Sequence, residues 1–242
     1  MDQEQKLAIF HAQTQNVRGL KSAMKQVHRS INAALRSDQT ATGEALTKVY
    51  ALLFCGWAEA NFSKIIHTPY GFELDEIAQI QQRAGIGDLM VKRSVSEAWK
   101  KSVELGLRHL EAHKHGNFQP NAKKKLFDAI NTHVFDPSLL RNKLAHGQWV
   151  IALNRNNERV QQDLTDKISS LTIVDLMAWV QAHELLAGMV ETLIESPKKT
   201  FMRDWHGYVV EIEGKMVVAE QRTLAEHIAR LKSKTARKQN RA

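Results

Sequence analysis

The stretch EALTKVYALLFCGWAEANFSKII, residues 44–66, decides the architecture. It contains no proline and one glycine, Gly56, so nothing in it stops a helix. Leu46, Val49, Tyr50, Leu53, Trp57 and Ala60 fall along one side, while Leu52 and Ile66 lie elsewhere on the circumference. A helix that is apolar on more than one face must be covered on several sides. The stretch therefore predicts a buried central helix with other helices around it. Between Val49 and Ser63 the one charged residue is Glu59, on the stripe Leu52, Gly56, Glu59, Ser63, Ile66. A carboxylate among apolar neighbours needs a partner.

The segments on either side also read as helices. Toward the C-terminus, Pro69-Tyr70-Gly71 ends the central helix, and a shorter one is expected over 73–83, closed by Gly85 and Gly87. A long helix over 88–115 follows, with Gly116 as its cap, and then an amphipathic one over 121–132. Asp136-Pro137-Ser138 reads as a fresh helix start with proline in the first turn, and that helix ends near His146-Gly147. Trp149 to Leu153 reads as a short strand, followed by a turn or loop at Asn154-Arg155-Asn156-Asn157. Thr172, with Asp175 completing its N-terminal cap, opens a helix whose apolar face includes Leu176, Val180, His183, Ala187, Val190 and Ile194. Ser196-Pro197 stops it. Beyond, 201–212 and 216–231 fit two helices, or 208–218 forms a hairpin around Glu213-Gly214-Lys215. Toward the N-terminus, residues 4–36 form a helix with Val17, Met24 and Ile31 in one heptad row and Leu20, Val27 and Ala34 in the other. That seam either packs on its own domain or pairs with a second subunit. The fold class is all-α, a helical bundle with a short β excursion. Its expected division is a domain over 1–196 (helix 4–36 plus a core over 40–196) and a helical extension with a basic tail over 197–242.

Composition narrows the function classes. The chain has 242 residues, 43% hydrophobic and 25% charged, which suits a globular protein with a real core. A single cysteine, Cys55, rules out an internal disulfide and points to the cytoplasm. Met1-Asp2-Gln3-Glu4-Gln5-Lys6 is too polar for a signal peptide, and no stretch reads as a membrane span of about 18 apolar residues. There is no internal repeat, phosphate-binding glycine loop or dinucleotide fingerprint. Seven basic residues and one acid lie between Gln221 and Ala242, so this stretch carries six of the eight net positive charges. A near-neutral body with a basic tail suggests an electrostatic tether or a solubilising terminus rather than a broad nucleic-acid surface.

The segment Arg141-Asn142-Lys143-Leu144-Ala145-His146-Gly147 brings together the groups of a metal-free ribonuclease. Arginine grips phosphate with a planar fork of donors, and histidine exchanges protons near neutral pH. Five positions on a straight helix rotate about 140°, so Arg141 and His146 share a face only if the helix ends between them. Gly147 in a left-handed conformation would place His146 at such an end. The negative pole of the helix there favours imidazolium.

RNKLAHG resembles the arginine–histidine motif of the HEPN superfamily, in which four to six residues separate the two and a polar residue commonly follows the arginine, as Asn142 does. The resemblance covers only these few residues and implies a helical bundle that usually dimerises, with two motifs meeting in one composite site. It further implies a metal-independent endoribonuclease of the toxin–antitoxin or antiviral defence kind. Such an enzyme uses 2′-hydroxyl attack on the neighbouring phosphate and leaves 2′,3′-cyclic phosphate ends. On that reading Arg141 stabilises the phosphorane, His146 is general base or acid, Asn142 orients the site, and Glu59 is the acidic residue contributed by an earlier helix. Expected partners are substrate RNA, a second copy of the chain, and an antitoxin or regulatory protein, with no cofactor, metal or membrane. The alternative is a non-catalytic HEPN module that binds a nucleotide, RNA or a protein. A structural role competes for each residue: an ion pair for Arg141 and Glu59, a helix cap for His146.

Other candidates carry less. Lys143, Arg155, Arg159 and Trp149 lie close to the motif and are candidate RNA contacts, although a tryptophan after a helix cap more often closes a core. His109, His113 and His115 have metal-like spacing, but the order His-Leu-Glu-Ala-His is not that of a zinc protease. Cys55, in mid-helix among apolar residues, reads as a packing residue.

Overall fold

In a computed structural model, which describes residues 1–84, 91–110, 117–220 and 222–239, the chain is all-α. The helices are α1 (Gln3–Arg36), α2 (Thr40–Ile66), α3 (Leu74–Ala84), α4 (Val91–Arg108), α5 (Phe118–Ile130), α6 (Asp136–Ala145), α7 (Gln162–Ser170), α8 (Ile173–Glu195), α9 (Met202–Glu220) and α10 (Leu224–Gln239). Two short π-helical turns, Asn131–Phe135 and Pro197–Phe201, join α5 to α6 and α8 to α9. Gly85, Gly87, His113, His115 and Gly116 lie outside the described residues.

Helices α2 and α8 are the axis of the molecule. Both are apolar around most of their circumference, and both contribute to two clusters of buried side chains. One cluster gathers Ile65 and Ile66 from α2 and Leu186 to Ile194 from α8 with α3, α4 and α5. The other gathers Tyr50 to Trp57 from α2 and Ile173 to Leu176 from α8 with α1, α6 and α7. By length and composition α8 is a candidate membrane span, contrary to the sequence reading, but half of its most apolar window is buried against neighbouring helices. Its N-terminus carries the expected reciprocal cap: the Asp175 N–H donates to the Thr172 hydroxyl at 3.3 Å, and the Thr172 N–H to the Asp175 carboxylate at 2.8 Å.

The long first helix runs along α2. Its heptad seam faces inward: Met24, Ile31 and Ala34 are buried, and Val17, Leu20 and Val27 pack at the edge of the second cluster. The seam is therefore an intramolecular contact. The start of α1 is fixed by Lys6, which is buried and donates from Nζ to the Phe72 carbonyl at 2.8 Å. Desolvation pushes the Lys6 pKa down, opposed by Glu73 and Glu76.

Two expectations are corrected. The β excursion reduces to one isolated antiparallel bridge, Leu153 to Val160, and no strand occurs among the described residues. Val150 and Ile151 are both exposed, so no apolar face exists to hold a strand. Asn154 turns the chain there instead, its side chain accepting from the N–H groups of Glu158 at 2.8 Å and Arg159 at 3.3 Å. The possible hairpin over 208–218 is helix α9: Trp205, Tyr208, Val209 and Ile212 pack on the first cluster at helical spacing, which overrides the turn chemistry of Gly214. Asp136-Pro137-Ser138 does open a helix, α6, with the proline in its first turn, but no loop precedes it: the π turn leads into α6 directly from α5. The sequence reading also passed over α7, whose burial rests on Leu164 and Ile168 alone. The two extension helices pack on the body, α9 on the first cluster and α10 through Leu224, Ile228 and Leu231 on the second.

Ile31 is fully buried in the α1–α2 contact. Replacing it with alanine is expected to remove about 2–5 kcal/mol of stability. Urea unfolding at several protein concentrations checks this: the midpoint should drop and stay independent of concentration, whereas a subunit seam would make it rise with concentration.

Candidate functional site

The site is built on the leg of helix that follows the π turn. An α-helical Pro137 would leave a carbonyl one turn back without its donor and clash with it. The wider turn just ahead relieves this: the Asp136 N–H reaches the Asn131 carbonyl five residues back. The Ser138 hydroxyl donates to the Phe135 carbonyl at 2.6 Å and secures the junction. Helix α6 then lies against α2 and carries Arg141 to it.

There the Arg141 guanidinium forms an ion pair with Glu59. The pair sits at the surface, with 27% of the arginine side chain and 48% of the glutamate side chain exposed, so Glu59 is free to swing outward. Asn142, next on the helix, is half-buried, and its carbonyl accepts from the His146 N–H at 3.2 Å. His146 is the exposed residue that caps the C-terminus of α6. Gly147 follows at φ +77°, the left-handed conformation that a side chain would strain. The Gly147 N–H then bonds the Leu144 carbonyl at 3.2 Å, and the Gln148 N–H the Lys143 carbonyl at 3.0 Å, closing the helix.

The remaining sequence candidates divide. Lys143 is buried, with its ammonium on the Leu153 carbonyl, so it ties the helix to the following loop instead of standing out at the surface as an RNA contact would. Trp149 is half-buried and directs Nε1 to the Leu144 carbonyl at 2.9 Å, while its own carbonyl accepts from Lys48 at 2.7 Å. It packs against the second cluster, with its ring edge tied to the helix. Arg155 and Arg159 stand exposed on the Asn154 turn. His109 pairs with Glu76 at 3.1 Å, and no cluster suited to a metal occurs among the described residues.

Behind the ion pair lies a pocket of about 200 Å³ that the sequence reading did not foresee. Arg141 and Glu59 line its mouth, and Phe54, Cys55, Phe62, Trp99, His133 and His183 line its interior. It sits where the two apolar clusters meet. His146 is not among the lining residues, so Arg141 and His146 of one chain face different surroundings. His183 is held edge-on by the rings of Phe54 at 5.9 Å, Trp57 at 5.2 Å and Trp99 at 5.5 Å. Neither of its ring nitrogens has a hydrogen-bond partner among the described residues. Burial, helped by neighbouring His133, lowers its pKa to about 3, so the ring stays neutral. Burial likewise pushes the Cys55 thiol up to about 12, against the pull of Arg141, which leaves it an inert wall. The sequence signal was present but weak: a lone histidine on the apolar face of α8.

The chain matches no family model, no curated protein and no solved structure.

His183 makes stability depend on pH. Its folded pKa of about 3 lies far below the ordinary histidine value of 6.5, so the unfolded state binds a proton that the folded state refuses. Its contribution is complete above pH 6.5 and is lost as pH falls toward 3. The expected slope from this group is about 1.4 kcal/mol per pH unit. His28, His67, His133 and His227 are shifted the same way by burial and add to it. Chemical denaturation from pH 7 to 4 should show a shallower loss for His183→Phe than for the parent; equal slopes would remove His183 from the account.

Proposed function

We propose that the chain is a HEPN-type, metal-independent endoribonuclease, working as a homodimer in a toxin–antitoxin or antiviral setting. The observation that carries this reading is the pairing of Arg141 with Glu59 on a short leg of helix whose exposed end is His146. A guanidinium has five donors, and one carboxylate engages two at most. Glu59 can therefore hold the fork while its other edge receives a phosphate oxygen. Negative charge grows on the phosphorane oxygens, so a fixed guanidinium is worth most at the transition state. His146 is exposed and able to meet RNA directly, as base toward the 2′-hydroxyl or as acid toward the departing 5′-oxygen. Because Arg141 and His146 face apart on one chain, the reading requires a second copy to bring one chain's histidine to the other's arginine. Asn142, between them, orients the site. Arg155 and Arg159, on the nearby turn, supply backbone contacts to RNA.

The alternative is a non-catalytic HEPN module that binds a nucleotide, RNA or a protein partner. What favours it is the state of Arg141, whose charge is already met by Glu59.

The test is RNA cleavage by the purified protein in EDTA. The parent should cut RNA and leave 2′,3′-cyclic phosphate ends, while Arg141→Ala and His146→Ala should each lower the rate by roughly 10²–10⁴-fold. Mixing the two inactive variants should restore part of the activity if the site is shared between copies. Absence of cleavage of tRNA, rRNA and mRNA would favour the binding module.

A further inference from the structure

We infer that the pocket behind Arg141 is a binding site for a small aromatic acid: one flat, mainly apolar ring system, with a hydrogen-bonding group on its inner edge and a carboxylate at its outer end. Size sets the first limit. At about 200 Å³ the space is smaller than the 300–1,000 Å³ of drug-sized sites and suits a single ring system. The walls set the second. Phe62 and Trp99 stack at 4.5 Å with their planes 25° apart, giving a flat aromatic surface beside Phe54.

The floor sets the third. His183 is fully buried, held by three aromatic rings, and leaves both nitrogens unanswered among the described residues. A buried polar group without a partner is costly, and a neutral imidazole is one donor and one acceptor. A phenol hydroxyl can answer either nitrogen, and an indole N–H answers the acceptor nitrogen. A nucleobase, with polar atoms around its rim, would leave most of them facing Phe54, Phe62 and Trp99. A cation is disfavoured by Arg141 at the mouth.

The mouth supplies the anchor. Glu59 already shows that a carboxylate fits Arg141, and about half of that glutamate side chain is exposed. A ligand carboxylate can take its place while Glu59 turns into solvent, with no net change in buried charge. Binding in the pocket stands independently of ribonuclease activity. Its consequence rests on the proposed function: a bound acid would occupy the guanidinium that RNA phosphate needs, making the ligand an inhibitor.

Calorimetry on the full chain tests this with indolylacetate and para-hydroxyphenylacetate beside their uncharged counterparts, indole and para-cresol. One acid per chain should bind, about tenfold or more tighter than its uncharged counterpart. Arg141→Gln should erase that difference and leave the neutral probes unaffected. Ala58→Leu, which fills the pocket from α2 without touching its polar groups, should weaken acid and neutral probes alike. The ring nitrogen signals of His183 should shift on binding. Equal affinity for acid and neutral probes, no binding of any of the four at millimolar concentration, or tighter binding of nucleoside monophosphates would each overturn the inference. If the protein cuts RNA but binds no probe, this inference falls and the ribonuclease reading stands. If it binds the acids but cuts no RNA, the site stands and only the inhibitory role falls.

Discussion

Everything in this molecule depends on burying α2 on nearly all sides. An amphipathic helix needs one neighbour, but one that is apolar around its circumference needs several, and the bundle supplies them. Helix α1 covers one flank, α8 another, and α6 a third. Because α8 is almost as apolar, the two central helices divide the interior into two clusters rather than one. The junction of the clusters is where packing is hardest to complete, and the pocket and its stranded histidine occur there. The place best suited to a small ligand is thus a by-product of how the two central helices share the core.

The site stands at the edge of that core. Arg141 belongs to α6, a short leg whose own apolar content, chiefly Leu140 and Leu144, is modest. Its position is enforced from both ends: by the π turn and Pro137 on one side, and on the other by the left-handed Gly147 with the Lys143 and Trp149 ties to the loop. A catalytic or ligand-binding arginine gains from such fixing, since a preorganised donor need not be reoriented when charge arrives. The side chain nevertheless remains partly exposed, so its pairing with Glu59 is exchangeable rather than locked.

Much of this was legible in the sequence. Long apolar runs gave α2 and α8 nearly to their ends, a 3.6-residue pattern gave α3, and Thr172 with Asp175 marked the start of α8 correctly. Glu59 stood out because a charge on an apolar helix demands a partner, and Gly147 because a helix needs a way to end. Other features were hidden for identifiable reasons. Pro137 marked the start of α6, but its local chemistry gives no sign of the π turn just upstream. The Glu213-Gly214-Lys215 stretch looked like a turn until the packing of Trp205 and Tyr208 outweighed it. Nothing local marks Lys6 as buried, since its acceptor lies sixty-six residues away in the chain. The pocket was invisible because it gathers residues from α2, α4, the π turn, α6 and α8, and no local pattern encodes an absence of atoms.

The π turn has a further consequence for how this protein can change over time. Helical phase is discrete: adding or deleting one residue rotates everything downstream by about 100°. The turn at Asn131–Phe135 therefore works as a phase adjuster between α5, anchored in one cluster, and α6, anchored in the other. Deleting a residue there would leave α5 where it is and turn Arg141 away from α2. Related chains should accordingly tolerate substitutions along this helix far better than changes in its length. A single-residue indel in these five positions would separate the fate of the fold from the fate of the site.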